Sequence, residues 1–200
     1  MAEVTGNTLT PEERKILLKL ARDALERAVR NEKLDRLDLT KLPARLRQPG
    51  ATFVTLTRNG ELRGCIGALE PYQPLAEDVR EHAIAAGLED YRFPPVQPNE
   101  LADIQIEISY LTMPVDLSYE SPLDLLRILR PGVDGVILRD GFHRATFLPQ
   151  VWEKIPDPAD FLSHLCIKMG AAPDLWKRKK ISVQIYRVEE FHEESDSKPE

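Results

Sequence analysis

Cysteine is scarce in this chain: Cys65 and Cys166 are the only two among 200 residues. Two thiols are too few for a disulfide framework, and no apolar leader follows Met1, so the sequence predicts free thiols in a reducing cytoplasm. Long apolar runs are missing as well. None approaches the roughly 20 residues of a membrane helix, and no membrane contact is expected. Basic residues are in the minority, 27 Lys and Arg against 33 Asp and Glu for a net charge of −6, which opposes non-specific attraction to nucleic acid or anionic lipid. The metal-binding spacings CxxC, HxxxH and HExxH do not occur, nor does a serine-centred nucleophile elbow or a glycine-rich phosphate loop. No metal, no cofactor and no hydrolase triad is therefore expected. What is present, 42% hydrophobic and 30% charged residues, is the make-up of a globule able to bury a core without staples.

Thr10-Pro11-Glu12-Glu13 has the form of a capping box with proline in the first helical slot, so a helix starts there. Ile16, Leu17, Leu20, Ala21, Ala24, Leu25 and Ala28 recur at three- and four-residue steps between charged residues, the stripe of a helix docked on a core. Ala51 to Thr57 reads as a strand, Asn59-Gly60 as a type I′ hairpin turn, and Glu61 to Gly67 as the returning strand. Pro74 opens a second helix that Gly87 is expected to stop. Ile104, Ile106, Ile108 and Tyr110 alternate with polar residues, the period of a strand covered on one face. A short helix over Leu123–Leu129, a second hairpin turning at Asp140-Gly141, a helical core around Phe161 to Met169 and a last strand from Ile181 to Val188 complete the pattern. The acidic stretch from Glu189 onward is expected to fray. Hairpins and helices without regular βαβ alternation predict an α+β fold, with largely antiparallel or mixed sheet flanked by helices.

Leu62-Arg63-Gly64-Cys65-Ile66-Gly67 is the most unusual segment, because two glycines flank a cysteine inside a strand, where glycine marks a bulge or a close backbone approach. On an extended strand Arg63 and Cys65 share a face, so the guanidinium would favour the thiolate and make Cys65 a candidate nucleophile. The alternative is a packing cysteine: an uninterrupted two-residue hairpin sets Cys65 opposite Val54 and Arg63 opposite Leu56. Gly64 and Gly67 are candidates for close approach of a ligand. Arg92, in the stiff loop Arg92-Phe93-Pro94-Pro95, is a candidate anion or carboxylate anchor. Glu107 lies on the polar side of its strand and is a candidate proton acceptor. Gln150 offers an amide at a strand end. Trp176 to Lys180 is the one basic run beside an aromatic residue, the combination a single-stranded nucleic acid uses.

Leu62 to Gly67 resembles the signature hexapeptide of the AMMECR-type domain family. Further segments are similar in the same order: Asp90-Tyr91-Arg92-Phe93-Pro94-Pro95, Ser109-Tyr110-Leu111-Thr112, Leu148-Pro149-Gln150-Val151, and Cys166-Ile167-Lys168-Met169-Gly170, which departs from the family at Met169. The resemblance implies one two-lobed domain over 9–193 with the hexapeptide in a groove between lobes, followed by a disordered acidic tail over 194–200. It also implies Memo-type and radical S-adenosylmethionine proteins as partners, as in the A component of that three-part system, and it implies no agreed reaction. The leading expectation is a cytoplasmic enzyme or enzyme component with Cys65 as nucleophile, Arg63 and Arg92 as anchors and Glu107 as proton acceptor, acting on an unknown small molecule or peptide. The rivals are a non-catalytic interaction module and a nucleic-acid-associated factor.

Overall fold

The computed structural model describes residues 8–193; the tail expected over 194–200 lies outside them. The chain divides into two compact units, one of residues 8–111 together with the stretch after Val188, the other Thr112–Val188. The second is thus inserted in the sequence of the first.

In the first unit, helix α1 (Pro11–Val29) begins as the capping box requires. Thr10 Oγ1 accepts the Glu13 N–H at 3.2 Å, and the Glu13 carboxylate accepts the Thr10 N–H at 2.9 Å. Its apolar stripe buries Leu17, Ala21, Ala24, Leu25 and Val29. Strands β1 (Pro49–Arg58) and β2 (Glu61–Gly67) form the first hairpin, with Asn59 and Gly60 both at positive φ as a type I′ turn demands. The two-residue β3 (Gln73–Pro74) pairs with the start of β1, and helix α2 (Leu75–Leu88) follows. Gly87 does not stop α2. It lies within the helix because a Cβ there would come 2.5 Å from Leu25 Cδ1, so glycine serves the packing of α2 on α1. Strand β4 (Ile104–Leu111) pairs with β1, and β9 (Val188–His192) completes the order β2-β1-β4-β9. One face of this sheet, Val54, Leu56, Ile106 and Ile108, is fully buried in a core with Leu17, Leu25, Val79, Ala83 and Ala86 of the two helices.

The second unit carries its own sheet in the order β5-β8-β6-β7, built from Val115–Asp116, Ser182–Tyr186, Gly135–Asp140 and His143–Phe147, with antiparallel pairing throughout. Helices α3 (Leu125–Ile128), α4 (Pro158–Lys168) and α5 (Leu175–Arg178) accompany it. Its core centres on Trp152, whose ring stacks on Phe161 at 3.6 Å between centroids and whose Nε1 donates to the Asp134 carbonyl at 2.8 Å.

Two expectations are corrected at the C-terminus. The last strand is two strands, β8 in the second unit's sheet and β9 in the first's, parted at Arg187. Of the stretch expected to fray, Glu189 to Glu193 is ordered, because its acids find partners on α1 and β4. Glu189 pairs with Arg14 at 3.0 Å, and Glu193 accepts Arg22 Nε at 2.9 Å and the Ile106 N–H at 3.0 Å.

Candidate functional site around Cys65

The hairpin register differs from the one an uninterrupted turn gives. Arg58 faces Glu61 and Thr57 faces Leu62, but Leu56 then faces Gly64, Thr55 faces Cys65 and Val54 faces Ile66. Arg63 is the extra residue of a β-bulge. A bulge turns the following strand by one residue and so decides which face each side chain takes. Gly64 is set under α2, where an added Cβ would lie 2.1 Å from the Ala86 carbonyl oxygen. Close helix packing accounts for this glycine. Cys65 goes to the opposite face, the one that α1 and α2 leave uncovered, and is half-buried. Gly67 makes room for Phe53, whose ring carbon Cδ1 would lie 2.5 Å from an added Cβ.

Arg63 does not meet the Cys65 sulfur, contrary to the same-face expectation. Its guanidinium donates through Nε and Nη2 to the two carboxylate oxygens of Glu100, at 2.9 and 3.0 Å, in the 3₁₀ turn Pro98–Asp103. Arg58 adds a third bond to Glu100 at 3.2 Å. The Arg63 hydrogen bonds hold the Glu100 carboxyl well down, at about 2, against the opposing effect of burial.

Across the sheet, Thr55 of β1 stands between Cys65 of β2 and Glu107 of β4, paired in register with both. Residues directly opposite on neighbouring strands share a face, so thiol, hydroxyl and carboxylate form one row. Thr55 Oγ1 donates to Cys65 Sγ at 3.3 Å. Glu107 is half-buried, and no hydrogen bond or ion pair among the described residues engages its carboxylate. The strands carrying it and Cys65 are two spacings apart, about 10 Å.

Asp90 and Arg92 hold the outer edge of β2. Asp90 Oδ2 accepts the Cys65 N–H at 2.9 Å, and Arg92 Nη2 donates to the Cys65 carbonyl at 3.2 Å. The pair is locked to itself as Asp90 Oδ1 accepts Arg92 Nε at 2.9 Å and Oδ2 accepts Nη2 at 2.6 Å. Asp90 is only 4% exposed. Hydrogen bonds from Arg92 hold its carboxyl well below the usual carboxylate range, and Asp90 raises the Arg92 guanidinium in return.

The structure thus brings Cys65, Glu107 and Arg92 into one unit, with Arg63 beside them but turned to Glu100. Gln150 lies in the second unit, exposed in the 3₁₀ turn Pro149–Glu153. Thr55 and Asp90 were missed as site residues. The D-x-R spacing of Asp90 and Arg92 is the signal that a carboxylate and a guanidinium could close on each other. Trp176 is fully buried and its Nε1 donates to Ser163 Oγ at 3.1 Å, so it offers no stacking platform beside the basic run. Among the described residues no group of three His, Cys, Asp or Glu could hold a metal, and no helix is long and apolar enough to cross a membrane.

The family model for AMMECR1 matches residues 18–191. The chain belongs to the AMMECR1 family. It is 42% identical over 191 residues to a protein of Methanothermobacter thermautotrophicus, covering 93% of this chain and 97% of the relative. It is 37% identical to one of Methanopyrus kandleri, covering 97% and 95%. The crystal structure of an uncharacterised protein from Pyrococcus horikoshii superimposes with a TM-score of 0.70 at 33% identity, over 93% of this chain and 94% of that one. The segment Leu62–Gly67 lies in the bulged strand β2, and Asp90 and Arg92 are the pair that grips its cysteine.

Proposed function

We propose that this AMMECR1 protein is an enzyme or enzyme component working in the cytoplasm through the Cys65 thiol. The observation that carries the reading is the arrangement of Cys65: a half-buried residue on the sheet face opposite α1 and α2, its peptide N–H and carbonyl both bonded, with an unengaged carboxylate in the same row. A substrate laid across Thr55 would meet the thiol at one end and Glu107 at the other. Cys65 then acts as nucleophile, Glu107 accepts a proton from the substrate, and Arg92 contributes positive charge for an anionic group. Arg63 serves to hold β2 to the 3₁₀ turn rather than to meet substrate. Memo-type or radical S-adenosylmethionine proteins stay candidate partners on the strength of the family resemblance.

The rival reading, a module that takes a partner's strand onto β2, meets an occupied edge. The Cys65 N–H and carbonyl that a new strand would bond are already bonded by Asp90 and Arg92.

The test is acyl transfer from p-nitrophenyl acetate followed by intact mass. Wild type takes one acetyl group, mapped to Cys65 and gained faster than by the same thiol in the urea-unfolded chain; Cys65→Ala takes none. Acetylation of native Cys65 no faster than in the unfolded chain would overturn the thiol reading.

A further inference from the structure

Cys65 sits on the outer strand of its sheet, where an N–H and a carbonyl would ordinarily face water. Instead they meet one carboxylate oxygen and one guanidinium nitrogen from residues two apart in the chain. A neighbouring strand presents the same complement, an acceptor for the N–H and a donor for the carbonyl. Asp90 and Arg92 therefore stand in for the missing strand at one residue only, and that residue carries the thiol. We propose that Asp90 is a positioning residue for Cys65: with Arg92 it forms a surrogate strand that fixes the Cys65 peptide and so aims its sulfur along the row to Thr55. The inference rests on the thiol reading above and goes beyond it, since it assigns a role to a residue that touches no substrate.

The geometry argues for a specific device rather than general edge protection. Asp90 uses both oxygens and is nearly inaccessible, and its turn is closed by the Phe93 N–H donating to the Asp90 carbonyl at 3.0 Å. The same strand holds a second carboxylate–guanidinium pair, Arg63 with Glu100, that bonds no atom of Cys65. That pair supplies a matched control: equal in chemistry and on the same strand, but not joined to the thiol's peptide.

The experiment compares Asp90→Asn and Glu100→Gln with wild type. Hydrogen exchange of the Cys65 amide is followed by NMR, and acetyl transfer from p-nitrophenyl acetate by mass. In the transfer the Sγ–C bond forms as the ester C–O bond breaks, p-nitrophenolate leaves, and the thiol proton passes to solvent. Asp90→Asn is expected to speed exchange of the Cys65 amide about tenfold and to slow acetylation about tenfold, because misplacing a reacting atom by a fraction of an ångström costs rate on that scale. Glu100→Gln is expected to leave both near wild type. Arg92→Lys, which keeps the charge but loses the fork, is the second variant should Asp90→Asn not fold, and is expected to follow Asp90→Asn. Wild-type exchange and acetylation in Asp90→Asn would overturn the proposal, as would equal changes in Glu100→Gln, which would mean that β2 merely softens. Failure of wild-type Cys65 to take acetyl would overturn the thiol reading instead, and amide exchange would still decide whether Asp90 fixes the strand.

Discussion

Replacing Gly64 by alanine tests the placement of the thiol strand under α2. The added methyl would lie 2.1 Å from the Ala86 carbonyl oxygen and 3.0 Å from its carbon. An ordinary C···O contact is about 3.3 Å, so helix and strand must part by about 1.2 Å. The obstacle is backbone, not a side chain that can rotate away, and α2 is held by Val79, Ala83 and Ala86 in the core. Overpacking of this kind costs about 1–3 kcal/mol where side chains give way, so a rigid helix puts the effect near the upper end, about 3 kcal/mol. For a chain of this size that lowers Tm by roughly 6–12 °C. Circular dichroism on heating, with urea unfolding for the free energy, gives the answer. Gly60→Ala, at a turn position with φ of +80° and nothing within 4 Å, supplies a comparison in which only the backbone is strained. A Gly64→Ala protein that melts within about 2 °C of wild type would refute the argument, because no helix carbonyl could then sit where described.

In the native protein iodoacetamide should label Cys65 and spare Cys166, which is fully buried and whose thiol burial pushes up; two adducts before unfolding would contradict this. Acid should weaken the first unit through Glu100. Its folded-state pKa of about 2 lies below the unfolded value, so its stabilisation is present above about pH 4.5 and fades as pH falls toward 2. The stabilisation is on the order of 3 kcal/mol, and urea titrations of Glu100→Gln should lack that part of the acid slope. Glu193→Gln should loosen the grip of Arg22 and of the Ile106 amide, at a cost of about 1–2 kcal/mol. Hydrogen exchange should then quicken at β9 and Ile106 before it does at Val54; unchanged protection at Ile106 would count against the clasp.

The parts of the fold written in local chemistry were legible. The capping box at Thr10, the Asn59-Gly60 turn, and the alternation of Ile104, Ile106 and Ile108 each name their own conformation, and the elements stand where those signals put them. The bulge at Arg63 was not legible, since nothing in Glu61 to Gly67 states which residue is unpaired until α2 is laid over Gly64. One residue of slip exchanged the cross-strand neighbour of Cys65 from Val54 to Thr55 and sent Arg63 to Glu100. Gly87 was misread because a glycine under a neighbouring leucine and a glycine ending a helix look alike in sequence. The order of Glu189 to Glu193 was hidden because an acidic run reads as solvated until Arg14 and Arg22 are known to face it.

The split of the last strand at Arg187 has a consequence for synthesis. Strand β4 leaves the ribosome with one neighbour, β1, and its other neighbour, β9, is made only after the whole of Thr112–Val188. At about 5–20 residues per second the wait lasts several seconds, long compared with the folding time of a small domain. The intervening unit, with its separate sheet and core, therefore has time to fold while the edge of β4 is still bare. Arg14 and Arg22 wait on a finished helix for Glu189 and Glu193, which are made after the insert. The nascent chain closes its first sheet only after the whole insert has been made, and truncation just before Glu189 should yield a folded insert on a host left open at one side.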